Sequence, residues 1–339
     1  MPRDMLREMW LGIKRFWGLR WVIKVPVLLG VVGLVALAAL AVFALQGEGL
    51  SEAEKHYIRG IDLGEGGRWE EAIAEYSEAI EADPQFVLAY NNRGNAYSRL
   101  GELDRALADL NKAIELDPDL AMAYSNRGNV HADMGELQQA ISDYDRAIEL
   151  KGEASFYASR GNAYDDLGDV ERALADYNKA IELDPSDAFA YRNRGVTHFR
   201  LGNSDQALAD FDKAVELQPN YASAWASRGD VYAQKGEHEE AISNYGTAIE
   251  LDSNLIAAYL GRGTAYGYLG EYENAIADFD NAIDLDPRGP PAYGLRGLAY
   301  SELGDNDRAI ADLEKALSLY TDPGAKAQIE QLIAQIRGQ

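Results

Sequence analysis

An arginine–glycine pair recurs along this chain of 339 residues at an almost constant spacing, and this repetition restricts the fold more than any other feature. The spacing is 34 residues in six of the seven steps and 33 residues in the other. A period of this length indicates a repeat architecture, in which each unit is one supersecondary motif stacked on its neighbours. The pairs are Arg59–Gly60, Arg93–Gly94, Arg127–Gly128, Arg160–Gly161, Arg194–Gly195, Arg228–Gly229, Arg262–Gly263 and Arg296–Gly297.

Three further positions carry a single residue type in all eight units when the glycine of each pair is counted as position 8. Position 15 is always glycine, and positions 20 and 27 are always alanine. A glycine supplies the positive φ that ends one helix and turns the chain, and a proline at position 32 of five units ends a second helix. Between these breaks the apolar spacing is helical, as in Ala106, Leu110 and Ala113. Each unit is therefore predicted to be a hairpin of a first and a second helix.

Together with an aromatic residue at position 4 of seven units, this pattern closely resembles the tetratricopeptide repeat over residues 53–323. The resemblance implies an all-α, right-handed superhelical solenoid of eight helix hairpins whose first helices line a concave groove. Most members of this family are scaffolds or adaptors that hold a peptide or helix of a partner protein there. The chain departs from the family pattern in unit 3, which is one residue short and has Gly152 at the proline position.

The sequence after the last repeat predicts one more helix, within residues 324–339. Ile329, Leu332, Ile333 and Ile336 share one face of it. Such a helix caps the open apolar end of a solenoid and keeps it soluble. Residues 46–52, before the first repeat, are predicted to be a short linker.

An uncharged run at residues 25–45 is predicted to be a transmembrane helix, because about 20 apolar residues cross the hydrocarbon core. Residues 1–24 are basic and contain three tryptophans, which favour a cytoplasmic N-terminal segment at the membrane surface. We therefore expect a single-pass membrane protein whose repeat domain is extracytoplasmic, on the periplasmic side of the inner membrane if the source is bacterial. A cleaved signal peptide and a buried soluble helix are the alternatives.

The charge and composition exclude several classes of function. The net charge is −24, and because residues 1–45 carry six basic and two acidic residues, the remainder carries −28. Such a body repels phosphate backbones, so no nucleic-acid partner is expected. The chain has no cysteine, and its four histidines form no known metal-ligand spacing. We expect no metal, no cofactor and no catalytic residue, and the chain is predicted not to be an enzyme.

The arginine at position 7 of every unit is matched at position 23 by an acid in seven of the eight units. We therefore predict a structural ladder in which each arginine lies between helices and pairs with that carboxylate, because a partly buried arginine needs such a partner. A basic ladder that binds phosphates or carboxylates of a ligand is the alternative. The pairs first expected are Arg93 with Asp109, Arg127 with Asp143 and Arg160 with Asp176.

The family resemblance places positions 2, 5, 9, 12 and 13 on the groove. These positions are rich in amides in the first half of the chain and more apolar in the second half. Asparagine offers both donors and acceptors, which suits an extended peptide, and arginine binds carboxylates. The alternative is helix-surface polarity without a ligand. The predicted groove residues are Asn91, Asn95, Arg99, Ser125, Asn129, Asn162, Arg192 and Arg200.

These features lead to two hypotheses for function. The first is a membrane-anchored scaffold or adaptor that binds a protein or peptide partner in the groove, with assembly of a membrane or envelope complex as one role open to it. The second is a structural protein that self-associates through stacked solenoids as a homo-oligomer.

Overall fold

The computed structural model describes residues 50–338, which form 17 α-helices and no strand in that part of the chain. The described chain divides into two compact units after Pro185. We call the described residues before this point the first body, and those after it the second body. No helix in either body is both long and apolar enough to cross a bilayer. The transmembrane helix predicted at residues 25–45 lies outside the described residues.

The first body consists of four helical hairpins, as the repeat pattern predicts. Its helices are α1 (Glu52–Glu65), α2 (Trp69–Ala82), α3 (Val87–Arg99), α4 (Leu103–Leu116), α5 (Ala121–Asp133), α6 (Leu137–Leu150), α7 (Ala154–Asp166) and α8 (Val170–Leu183).

The second body continues the repeat with four hairpins and one additional helix. Its helices are α9 (Ala188–Arg200), α10 (Ser204–Leu217), α11 (Ala222–Lys235), α12 (His238–Leu251), α13 (Ile256–Leu269), α14 (Tyr272–Leu285), α15 (Pro290–Glu302), α16 (Asn306–Leu319) and α17 (Pro323–Arg337).

The turn inside every hairpin depends on the position-15 glycine. All eight of these glycines have φ between 72° and 82°, from Gly67 to Gly304. A side chain at such a φ is strained, because its Cβ approaches the backbone. The predicted turns are therefore confirmed.

The core of each hairpin forms where small residues let the two helices approach. The position-20 and position-27 alanines are at most 1 % exposed, from Ala72 to Ala316. A Cβ added to the position-8 glycine of unit 3, Gly128, would lie 2.7 Å from the ring of Tyr144. The glycine therefore leaves the space that the large position-24 side chain fills.

The helix α17 covers the end of the second body, as predicted for residues 324–339. Ile329, Leu332, Ile333 and Ile336 are buried against α15 and α16, while the opposite face, which includes Gln328 and Gln335, is exposed. The Asp322 side chain accepts a hydrogen bond from the backbone N–H of Ala325 at 2.7 Å and caps the helix start.

Substitution of Gly128 by alanine is predicted to destabilise the fold by about 2 kcal/mol, because the new methyl group overlaps the Tyr144 ring. The matched control is Gly246→Ala, where the nearest atom to the new Cβ is 3.7 Å away. This control is expected to stabilise by up to about 1 kcal/mol through helix propensity. Urea unfolding of the purified chain measures both changes, and equal effects would contradict this account of position 8.

Candidate functional site

The arginine at position 7 forms a bidentate ion pair with the acid at position 23 of the same hairpin. In the first body, Nε of Arg127 donates to Oδ2 of Asp143 at 2.8 Å, and its Nη2 donates to Oδ1 at 2.6 Å. The Asp143 side chain is only 9 % exposed, and its hydrogen bond raises the pKa of Arg127. The same geometry joins Arg93 to Asp109, Arg160 to Asp176, Arg194 to Asp210, Arg262 to Asp278 and Arg296 to Asp312.

The third nitrogen of the same guanidinium reaches back to the second helix of the preceding hairpin, a contact that the sequence reasoning missed. Its partner is the residue at position 25 of the preceding unit. Each such arginine therefore links three helices and not two. The contacts run from Arg93 to Ser77, Arg127 to Asn111, Arg160 to Asp145, Arg228 to Asp212 and Arg296 to Asp280.

An aromatic ring at position 4 covers each of these arginines one turn earlier on the same helix. The guanidinium carbon lies 4.5 to 5.9 Å from the ring centroid in seven units, with Trp225 over Arg228 giving the shortest distance. A cation over a ring face is favourable. Position 4 therefore contributes to the ladder as well as to packing.

The ladder is altered at both ends of the repeat array. In unit 1, Arg59 is half exposed, and its Nε lies 3.5 Å from Glu75 Oε2. At the other end, Glu314 is the position-25 residue of the last unit, and Arg337 of α17 donates to it at 2.6 Å. The capping helix thus supplies the arginine that a further hairpin would have supplied.

Unit 6 departs from the ladder in its acceptors. Asn244 replaces the acid at position 23 and accepts a single bond from Arg228 Nε at 2.7 Å. Its position-25 residue is Gly246, which offers no side chain to Arg262 of the next unit.

Substitution of Arg127 by methionine is predicted to destabilise the chain by about 3 kcal/mol, because it leaves the buried Asp143 without its partner. Asp143→Asn is expected to cost less, about 1 kcal/mol, since an amide still accepts a hydrogen bond, as Asn244 does for Arg228. The free energy of urea unfolding is the measurement.

The control for this ladder prediction is Lys112→Met. Lys112 forms an exposed pair with Glu115 one turn away, and such surface pairs contribute roughly 0 to 1 kcal/mol. A loss at Arg127 no larger than the loss at Lys112 would contradict the ladder's role in stability.

Two of the predicted groove residues are buried, and the prediction for them needs correction. Asn91 is 2 % exposed and Ser125 is 4 % exposed. The Asn126 Nδ2 donates to Asn91 Oδ1 at 3.0 Å, which shows that position 5 lies between neighbouring first helices. Asn91 in turn donates to Asn92, and Asn92 donates to Tyr57. In this part of the first body, position 5 serves an interhelical amide network and not a ligand surface.

The position-9 asparagines reach solvent in the first body. Asn129 is exposed, and its Oδ1 accepts a hydrogen bond from the Tyr144 hydroxyl at 2.8 Å. Asn162 accepts the equivalent bond from Tyr177 at 2.8 Å. Asn95 is partly exposed and lies one first helix before Asn129. We call the surface formed by positions 2, 9, 12 and 13 of the first helices the first-helix face.

The three arginines that were predicted to line the groove differ in their surroundings. In the first body, Arg99 lies 5.9 Å from the Trp69 ring centroid, and burial lowers its pKa against the opposing effect of Asp133. In the second body, Arg192 is partly buried and donates from Nη1 to Asn193 at 3.2 Å, while its Nε has no hydrogen-bond partner there. Arg200 is exposed at the end of α9.

The first-helix face carries few charged residues in units 6–8 of the second body. In units 6–8 its charged members are Asp230 and Glu302, and it has neither lysine nor arginine. Across residues 50–338 no group of three or more potential ligands is placed to hold a metal ion.

Comparison with protein families identifies the repeat. Profiles described as "TPR repeat" match residues 60–101, 94–135, 161–202 and 229–270. Profiles described as "Tetratricopeptide repeat" match residues 121–153, 188–221, 211–243, 256–288 and 290–323. These matches include most of the chain, which therefore belongs to the tetratricopeptide-repeat family. No curated protein sequence matches it.

Solved structures share the same fold. The APC/C hetero-tetramer Cut9–Hcn1 aligns with a TM-score of 0.65 at 17 % identity, over 83 % of this chain and 55 % of that one. A tetratricopeptide repeat protein from Parabacteroides merdae gives 0.55 at 24 % identity, over 74 % and 98 %. Yeast Tom70 gives 0.57 at 22 % identity, over 86 % and 65 %. The chain thus spans only about half of the Cut9–Hcn1 chain that it matches.

Proposed function

We propose that this chain is a membrane-anchored scaffold that holds a peptide or helix of a partner protein on its first-helix face. In the right-handed superhelix that the family resemblance implies, this face lines the groove. Residues 25–45 anchor the chain, the basic residues 1–24 stay in the cytoplasm, and the repeats lie on the extracytoplasmic side. A role in assembling a membrane or envelope complex is consistent with this placement.

The observation that carries the proposal is the pair of amides on neighbouring helices α3 and α5. The Asn129 Oδ1 accepts a hydrogen bond from the Tyr144 hydroxyl. The two N–H donors of the same Asn129 amide are therefore left for a ligand. The Asn95 side chain makes no hydrogen bond within the described part of the chain. Amide donors and acceptors in a row match the alternating carbonyl and N–H groups of an extended peptide. The ladder occupies other positions, so binding here does not compete with stability.

The solved structures support the fold on which the proposal rests. In the Cut9–Hcn1 hetero-tetramer a chain of this fold assembles with other protein chains. One fold hosts many functions, so the partner is argued from the surface and not from the likeness.

The alternative of end-to-end stacked solenoids is less favoured. The apolar end of the last hairpin is covered by α17, whose outer face is polar, and Glu314 is already paired with Arg337. A second copy therefore finds no free apolar end on that side.

Replacement of both Asn95 and Asn129 by alanine is expected to weaken partner capture about tenfold or more, because two hydrogen bonds to the ligand are lost at about 1 kcal/mol each. Crosslinking in native membranes followed by quantitative mass spectrometry identifies the partner and measures the loss. The control is Asn220→Ala, an exposed asparagine in the turn before α11. Equal capture by all three proteins would move the binding site away from these amides.

The membrane orientation is tested by cysteine labelling, since the natural chain has no cysteine. In spheroplasts of a bacterial host, an impermeant maleimide is expected to label Asn220→Cys directly and Glu8→Cys only after lysis. Direct labelling of Glu8→Cys would reverse the orientation, and loss of residue 8 from the mature chain would indicate a cleaved signal peptide.

A further inference from the structure

A cleft opens on the first-helix face of the second body, between the hairpins of units 7 and 8. It is lined by Gly267 of α13, Phe279 of α14 and Leu298 of α15, with Glu302 and Tyr272 among the other lining residues. The cleft is shallow, with a cavity volume of about 20 Å³. Phe279 and Leu298 are buried, so the inner part of the cleft is apolar.

The cleft exists because position 12 of unit 7 is a glycine that packing does not require. Gly261 and Gly263 on the same helix face the rings of Tyr245 and Phe279, where an added Cβ would lie 2.5 and 2.7 Å from ring atoms. A Cβ on Gly267, in contrast, meets no heavy atom within 4 Å. Glycine inside a helix destabilises it by roughly 1 kcal/mol relative to alanine. Units 5, 6 and 8 carry Phe199, Ala233 and Ser301 at this position.

The hydroxyl groups that line the cleft form hydrogen bonds within the protein. The Thr264 hydroxyl donates to the Leu260 carbonyl at 2.6 Å and is satisfied within its own helix. At the edge, the Tyr272 hydroxyl donates to Glu302 Oε2 at 3.3 Å, and Glu302 is exposed. A carboxylate thus stands beside an apolar recess.

The charge of the surrounding surface selects between classes of partner. Units 6–8 present no basic residue on the first-helix face, and the chain after residue 45 carries −28. An acidic peptide would be repelled from this edge, whereas a basic one would be attracted.

We propose that the Gly267 cleft receives the end of one apolar side chain of a partner peptide, next to a lysine or arginine of that peptide that pairs with Glu302. This inference rests on the proposed function and names the chemistry of the peptide that the scaffold holds. The apolar side chain supplies most of the affinity by leaving water, and the basic residue supplies orientation and association rate.

The test uses the full chain in detergent and a positional-scanning library of short random peptides as the probe. The wild type is expected to enrich peptides with leucine, methionine or phenylalanine within two residues of lysine or arginine. Gly267→Leu fills the cleft, and is expected to bind the leading peptide about tenfold more weakly and to lose the apolar preference. Glu302→Gln is expected to retain the apolar preference and lose the basic one, with about threefold weaker binding.

The control is Gly246→Ala, a glycine-to-alanine change inside a helix of the same body but outside the cleft, which is expected to leave the enrichment unchanged. Enriched peptides that bind Gly267→Leu and Glu302→Gln as tightly as the wild type would overturn the cleft while leaving the proposed function intact. Enrichment of acidic residues beside the apolar one would overturn the charge assignment. A wild type that enriches no peptide, together with no crosslinked partner in native membranes, would overturn the proposed function itself.

Discussion

The stack of hairpins depends on the hydrogen bonds that the guanidinium at position 7 makes to its own hairpin and to the preceding one. A guanidinium is planar and offers donors in fixed directions. Here Nε and Nη2 take the carboxylate of the same hairpin, while Nη1 takes the second helix of the preceding hairpin. Lysine has a single ammonium and cannot span the same three helices in this geometry. In units 2–8 only 18 to 23 % of each arginine side chain is exposed. Such burial is tolerated because the buried donors find acceptors.

Much of the fold could be predicted from the sequence because most structural constraints recur in five to eight of the eight units. The turn glycines and the buried alanines stand out at a fixed period, and the position-23 acid follows the arginine in step. The position-25 acceptor was missed because its residue type varies, from Ser77 to Asn111 to Asp145. The signal was still present, since seven of the eight residues there are polar.

The candidate site was less predictable, because the position of a residue along a helix does not show how deeply its side chain is buried. Asn91 and Asn95 are one turn apart, yet Asn91 is sealed against Asn126 of the next first helix while Asn95 reaches solvent. Likewise, Gly263 and Gly267 are both glycines, one turn apart on the same helix, but their surroundings differ. The first makes room for Phe279 and the second opens a cleft. Only the surrounding atoms distinguish these cases.

The backward contact of each arginine also bears on how such a chain can change over evolutionary time. At five junctions between hairpins the arginine of the later unit donates to a polar side chain of the earlier unit. Duplication or deletion of one such unit by recombination therefore creates a junction that is already satisfied. The helix α17 follows the same rule, because its Arg337 pairs with the acid at position 25 of the last unit, Glu314. Unit 6 is the exception, because Gly246 at its position 25 has no side chain that could accept a hydrogen bond from Arg262 of the next unit. The pair of units 6 and 7 is thus the part of the array least free to be exchanged, and it adjoins the cleft at Gly267.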